Sequence, residues 1–201
     1  MAITTHRPDR AAAAPAAAGS GPAAPPAGGL PPGVVLRPLN AQRDERGVVA
    51  EFFVNDWQHE FSPAQWTMTV SEAEVLRGVH VHQRHADWLV VLDGAAWVGL
   101  RDLRAGAPAN GRACCFEMRD DAPAALHIPP GVAHGFLFLR RTVYALGLSQ
   151  RYDPTDELGC HWRDPDLGIA WPAAAPRLSA RDAALPPLRE LALRMPLWTR
   201  D

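Results

Sequence analysis

From Gly33 onward the chain is a succession of short apolar or alternating runs: "VVAEFFV", "QWTMTVS", "DWLVVLDGAAWVGLRDLR", "CCFEMR", "ALHIPP", "HGFLFL" and "TVYALGLS". Turn-formers such as "RAGAPANG" and "PPGVAH" separate them. Runs of this length suit strands, and no long helical pattern lies between them. The pattern predicts an all-β sandwich or barrel. "LDG" followed by "AAWVGL" predicts a hairpin, and Arg140–Arg141 are expected as solvated charge at another hairpin turn. Along "DWLVVLD" alternate side chains face opposite ways, so Trp88 points away from Asp87 and is expected to pack inside the sandwich. Only "PPLRELALRM" reads as a helix, opened by prolines and apolar at helical spacing.

The 201 residues suit one domain with a sizeable core. Residues 1–32 are mostly Ala, Pro and Gly, with almost nothing to bury, and are expected to form a disordered tail before a domain at 33–201. Arg7 and Arg10 precede "AAAAPAAAG", but the stretch lacks the Leu/Val-rich centre of a signal peptide. A net charge of -2 does not mark a nucleic-acid or membrane-surface binder. All 20 basic residues are arginine, which excludes Schiff-base chemistry through lysine. Cys114, Cys115 and Cys160 form no CxxC motif and leave an odd count, as expected of reduced thiols in a cytoplasmic protein. No apolar run reaches the length of a membrane span, about 18 residues.

The stretch richest in chemistry is "RGVHVHQRHADWLVVLDG", Arg77 to Gly94. On a strand, His80 and His82 share a face and Val79 and Val81 take the other. Asp87 follows, and His134 stands in "PPGVAHGF". The spacing of His80, His82, Asp87 and Gly94 resembles the first cupin motif, and "PPGVAHGF" resembles the second. Two readings stay open. His80, His82, Asp87 and His134 are a plausible first shell for iron, manganese, nickel or zinc. Alternatively, His82 and Asp87 line a pocket that holds no metal.

Longer motifs resemble one cupin family, the dTDP-4-dehydrorhamnose 3,5-epimerases. "RDERGVVAEFF", "QWTMTVS", "VLRGVH", "VGLRDLRAGAPANGR", "IPPGVAHGF", "RYDPTDELGCHWRDPDLGIAWP" and "LSARDAALPPL" carry the likeness over about residues 34–188. The resemblance implies a double-stranded β-helix, or jelly roll, with a short C-terminal helix and usually a dimer. It implies epimerisation of a dTDP-linked 4-keto-6-deoxyhexose at carbon 3, carbon 5 or both, without a cofactor, in deoxysugar or cell-surface polysaccharide biosynthesis. His80 matches the family's base, Asp182 its partner and Tyr144 the acid on the opposite sugar face. Arg46, Glu51, Gln65, Arg77 and His134 match substrate-binding positions. Tyr152 is expected to be structural, and His59, His85, His127 and His161 receive no role.

The chemistry suits these residue types. A neutral imidazole removes a proton α to a ketone near neutral pH. A carboxylate fixes its tautomer and stabilises the cation that forms, and a phenol can return a proton on the other face. Three departures stand out. The family's lysine, seven residues before the hairpin glycine, is Asp87 here; its Gln after the base is His82; and its Asn in QxN is Thr67. Arg77 or a metal would then have to stabilise the enolate. "RGVHVH" also resembles the RGxHAH of dTDP-sugar 3,4-ketoisomerases, which shift a ketone without inversion. A dTDP-sugar 3,4-ketoisomerase and a metal-dependent cupin are therefore the alternative functions.

Overall fold

The computed structural model describes residue 26 and residues 29–57, 61–104 and 113–195. Most of the Ala/Pro/Gly tail, and His59, lie outside the described residues. Twelve strands follow one another: β1 (Val35–Pro38), β2 (Ala41–Asp44), β3 (Gly47–Ala50), β4 (Gln65–Ser71), β5 (Leu76–Val81), β6 (Asp87–Asp93), β7 (Ala95–Asp102), β8 (Cys114–Arg119), β9 (Ala124–Ile128), β10 (Val132–Phe138), β11 (Thr142–Leu148) and β12 (Leu158–Gly159). A 3₁₀ turn (Pro165–Leu167) and two short helices, α1 (Ala180–Ala183) and α2 (Leu188–Arg194), complete the chain.

The strands form two five-stranded antiparallel sheets, ordered β1-β9-β6-β11-β4 and β12-β5-β10-β7-β8, and a small β2-β3 hairpin. From β4 to β11 the chain crosses between the large sheets at nearly every step. That winding is the cupin double-stranded β-helix, as the motifs imply. Alternation supplies the core. On β8, Cys114, Phe116 and Met118 are buried, and the residues between them are more exposed. They meet Leu89, Val98, Leu100, Leu126, Phe136 and Phe138 between the sheets. On β8 a period of two over six residues is enough for this, because one face of the strand meets the core and the other does not.

Two expected hairpins are corners instead. β6 and β7 belong to different sheets, so the Gly94 turn carries the chain across the sandwich. Gly94 has φ 109, and a Cβ there would fall 2.4 Å from Thr142 Oγ1 and 2.6 Å from Thr142 Cα. The same holds for Arg140–Arg141, which join β10 to β11 across the sheets. Arg140 also donates to Asp120 at 2.7 Å and to the Gly94 carbonyl at 3.0 Å, so its charge is used in the corner.

Trp88 also lies elsewhere than expected. It is 1% exposed, but on the outer face of the first sheet, with Val90, Phe53, Trp57 and Phe61. The expected alternation holds; the assignment of its inner side does not. Asp87 and Leu89 face the interior, which forces Trp88 outward under the segment that precedes β4. Its indole Nε1 donates to the Phe52 carbonyl at 2.9 Å. On the other sheet, Val79 and Val81 likewise face outward and are covered by Trp162, Leu167 and Leu191.

Candidate active site

A cavity of about 440 Å³ opens between the two sheets. β5 supplies its chemistry. Because Val79 and Val81 are committed to the outer cluster, His80 and His82 must face the cavity. Gly78 sits two residues earlier at φ 119, and a Cβ there would be 2.8 Å from Gly135 Cα. Only glycine allows β5 to approach β10 this closely, opposite the bulge at His134/Gly135. Asp182 arrives from α1, whose N-cap Ser179 Oγ accepts from the Asp182 backbone N–H at 3.0 Å. Its Oδ1 lies 2.8 Å from His80 Nε2. Burial alone would raise the Asp182 carboxyl, but the His80 hydrogen bond, Ser179 and the Gly78 amide hold it below its ordinary value. A carboxylate accepts here, so His80 carries its hydrogen on Nε2 and keeps a lone pair on Nδ1.

The opposite wall belongs to the other sheet. Tyr144 on β11 lines the cavity and stacks on Phe138 with ring centroids 5.1 Å apart. Burial raises the phenol's pKa; the nearby Arg77 charge and hydrogen bonds with Thr69 and Ser71 oppose the shift. Arg77 Nε donates to Ser71 Oγ at 2.8 Å. Gln65 lines the mouth, where its Oε1 accepts from the Tyr152 backbone N–H at 3.0 Å.

Asp87, at the start of β6, is surrounded by imidazoles. Its Oδ2 lies 3.1 Å from His134 Nε2 and 3.4 Å from His82 Nε2. Burial opposes charge on His82, but Asp87, Glu157 and the Asp156 carbonyl outweigh it and raise the imidazole to about 9. Burial would also raise the Asp87 carboxyl; His82 and His134 instead hold it far below the ordinary carboxylate range. His85 stacks on His82, with centroids 3.9 Å apart, and burial together with the His82 charge lowers its pKa.

Gln65, Arg77, His80, His82, Asp87, His134, Tyr144 and Asp182 thus share one cavity. Arg46 and Glu51 do not. Arg46 stands at the exposed β2-β3 turn, paired with Asp44, and Glu51 follows that hairpin. The four-residue metal shell is not assembled as a unit either: His82, Asp87 and His134 converge, while His80 Nε2 is turned to Asp182. Asp156, Glu157, Arg177 and Arg181 escaped the sequence reading. All but Asp156 line the cavity, as does Tyr152. Asp156 lies behind it, caps the Gln83 and Arg84 amides and holds His85 Nδ1 at 2.9 Å. Three carboxylates in "DPTDE", near a histidine-rich strand only in space, offered no local signal.

The model of the dTDP-4-dehydrorhamnose 3,5-epimerase family matches residues 31–190. The chain belongs to this family. A dTDP-4-dehydrorhamnose 3,5-epimerase of Mycobacterium tuberculosis is 31% identical over 169 residues, 77% of this chain and 84% of that protein. Among solved structures, an epimerase of M. tuberculosis superposes with TM-score 0.76 at 30% identity, covering 81% of this chain and 88% of the other. A 3'-monoepimerase from Streptomyces bikiniensis in complex with dTDP-quinovose gives TM-score 0.73 at 31% identity, covering 81% and 86%. The family members therefore include both double and single epimerases.

Proposed function

We propose that this protein is a nucleotide-sugar epimerase, an isomerase that inverts carbon 3, carbon 5 or both of a dTDP-linked 4-keto-6-deoxyhexose in deoxysugar or cell-surface polysaccharide biosynthesis. The observation that carries the reading is the placement of His80 and Tyr144 on opposing sheets of one cavity. Inversion needs a base on one face of the sugar ring and an acid on the other, and facing sheets supply both. His80 Nδ1, with Nε2–H held by Asp182, removes the proton α to the ketone; the C–H electron pair moves to the carbonyl oxygen as an enolate. Asp182 stabilises the imidazolium that results. Tyr144 then returns a proton to the carbon from the other side, while the enolate collapses to the ketone. Arg77 and Gln65 bind the substrate, with the arginine suited to phosphate, and His134 lines the cavity beside them. This chemistry needs no redox cofactor.

A homodimer fits the surface. On the outer face of the edge strand β4, Trp66, Met68 and Val70 are 40%, 72% and 40% exposed, and Val49 on β3 is 73% exposed. A second copy covering them would bury an edge that a monomer leaves open, and the β2-β3 hairpin could carry Arg46 and Glu51 toward it. No helix among the described residues is long and apolar enough to cross a membrane, and three free thiols fit a cytoplasmic setting. The test is incubation with dTDP-4-keto-6-deoxyglucose in heavy water, followed by NMR of the sugar protons. Deuterium at carbon 3 or 5 with an inverted product supports the epimerase. Migration of the ketone would indicate a ketoisomerase, and no exchange would reject this substrate.

A further inference from the structure

The residues around Asp87 pose a problem of hydrogen-bond chemistry that the proton-transfer pair does not solve. Asp87 is 2% exposed at its side chain. Besides the two contacts of its Oδ2, its Oδ1 lies 3.5 Å from His85 Nε2, and neither of those two atoms has a hydrogen-bond partner among the described residues. The far nitrogen of every ring is already engaged. His82 Nδ1 faces the Asp156 carbonyl at 3.2 Å, His134 Nδ1 the Val132 carbonyl at 3.1 Å and His85 Nδ1 the Asp156 carboxylate at 2.9 Å. Those oxygens only accept, so each Nδ1 carries a hydrogen and Nε2 is the ring atom turned toward Asp87 in all three histidines. Three imidazole Nε2 atoms and one buried carboxylate thus converge on a single point beside the cavity.

We propose that His82, Asp87 and His134 bind one divalent transition-metal ion at the base of the cavity. Their donor atoms all lie within 4.8 Å of one another. Separations of 3.1 and 3.4 Å from Asp87 Oδ2 match the spacing of about 3.0–3.4 Å between neighbouring ligands held roughly 2.1 Å from an ion. The 3.4 Å contact is long for an N–H···O hydrogen bond, which centres near 2.9 Å. Backbone carbonyls behind His82 and His134 fix the tautomer that leaves Nε2 free to ligate. Two imidazoles and a carboxylate select zinc, iron, cobalt, nickel or manganese over calcium or magnesium. All three residues line the cavity, so an ion held by them would be reachable from it. His85, which does not line it, backs the site through its stack on His82.

His80 stays outside this set, on Asp182, so the base and the metal do not compete. Resting on the epimerase reading, a bound ion supplies the positive charge an enolate oxygen needs, in a chain without lysine. The test strips the full-length protein with a chelator and titrates it with Co²⁺, following visible absorption and heat. One Co²⁺ per chain is expected, with affinity at least about 100-fold weaker in Asp87→Asn and in His82→Gln and unchanged in His80→Asn. Thermal melting of the variants separates lost binding from lost folding. No cobalt uptake by the folded wild type, or uptake unchanged in both ligand variants, overturns the site. Deuterium exchange into substrate is then measured on the stripped and the loaded protein. Cobalt binding without exchange in either form keeps the site and rejects the epimerase reading. Faster exchange in the loaded form supports the ion's role, and equal exchange in both removes it from the reaction.

Discussion

Replacing Asp182 by Asn removes one charge and almost no volume, so it isolates what the carboxylate does for His80. The two side chains are 19% and 7% exposed and 2.8 Å apart, a short contact largely shielded from water. Hydrogen bonds to a charged group in such settings contribute about 1.5–3 kcal/mol. When His80 takes up the substrate proton, this interaction strengthens as the imidazolium forms. Its loss therefore falls on the transition state and predicts a kcat lowered about 10- to 150-fold, with KM little changed because Asp182 acts through the base. The helix cap survives, since Ser179 Oγ accepts from the backbone N–H of residue 182. The carboxyl's pKa is lower in the folded protein. Its stabilisation is thus complete above the unfolded value of about 3.9 and is lost as pH falls through the folded value. The difference in Tm between wild type and Asp182→Asn should be largest near neutrality and shrink in acid. Rates come from sugar-proton NMR and Tm from calorimetry across pH. A kcat within a few-fold of wild type in a folded variant would refute the role given to the pair.

Trp88→Ala should cost about 3–5 kcal/mol, lowering Tm by roughly 6–20 °C, because it empties the centre of the outer aromatic cluster and leaves the Phe52 carbonyl without its donor. A Tm shift below about 2 °C by calorimetry would contradict that packing. Gly94→Ala places a Cβ against Thr142 at a positive φ and should lower the urea-unfolding free energy by about 1–3 kcal/mol; an unchanged midpoint would contradict the tight corner. Burial pushes the Cys160 thiol up to about 12 and Cys114 up to about 11. Both should resist a thiol reagent near pH 8 in the native protein and react on unfolding, and rapid native labelling of Cys160 would contradict its burial.

Strand positions were legible because a sheet with one dry face writes a period of two into the sequence, as β8 and "RGVHV" do. Which sheet a strand joins is not local information. The Gly94 turn has the composition of a hairpin, yet its neighbours come from distant segments. The same ambiguity misassigned Trp88: alternation separates it from Asp87 but does not say which side is inner. The pairing of His80 with Asp182 followed from the family's motifs, since their 102-residue separation carries no signal in spacing. α1, only four residues long, was too short to register as periodic. Asp156 and Glu157 were invisible for a related reason: loop carboxylates look solvated until β12 draws their loop against β5.

The most direct measurement compares wild type with Tyr144→Phe in heavy water on dTDP-4-keto-6-deoxyglucose, scoring deuterium uptake and inversion separately by NMR. If His80 and Tyr144 serve opposite faces, the variant still exchanges the α-proton, through the His80 face, but yields little or no inverted sugar. Undiminished inversion by Tyr144→Phe, or exchange that persists in His80→Asn, would contradict the two-faced proton transfer.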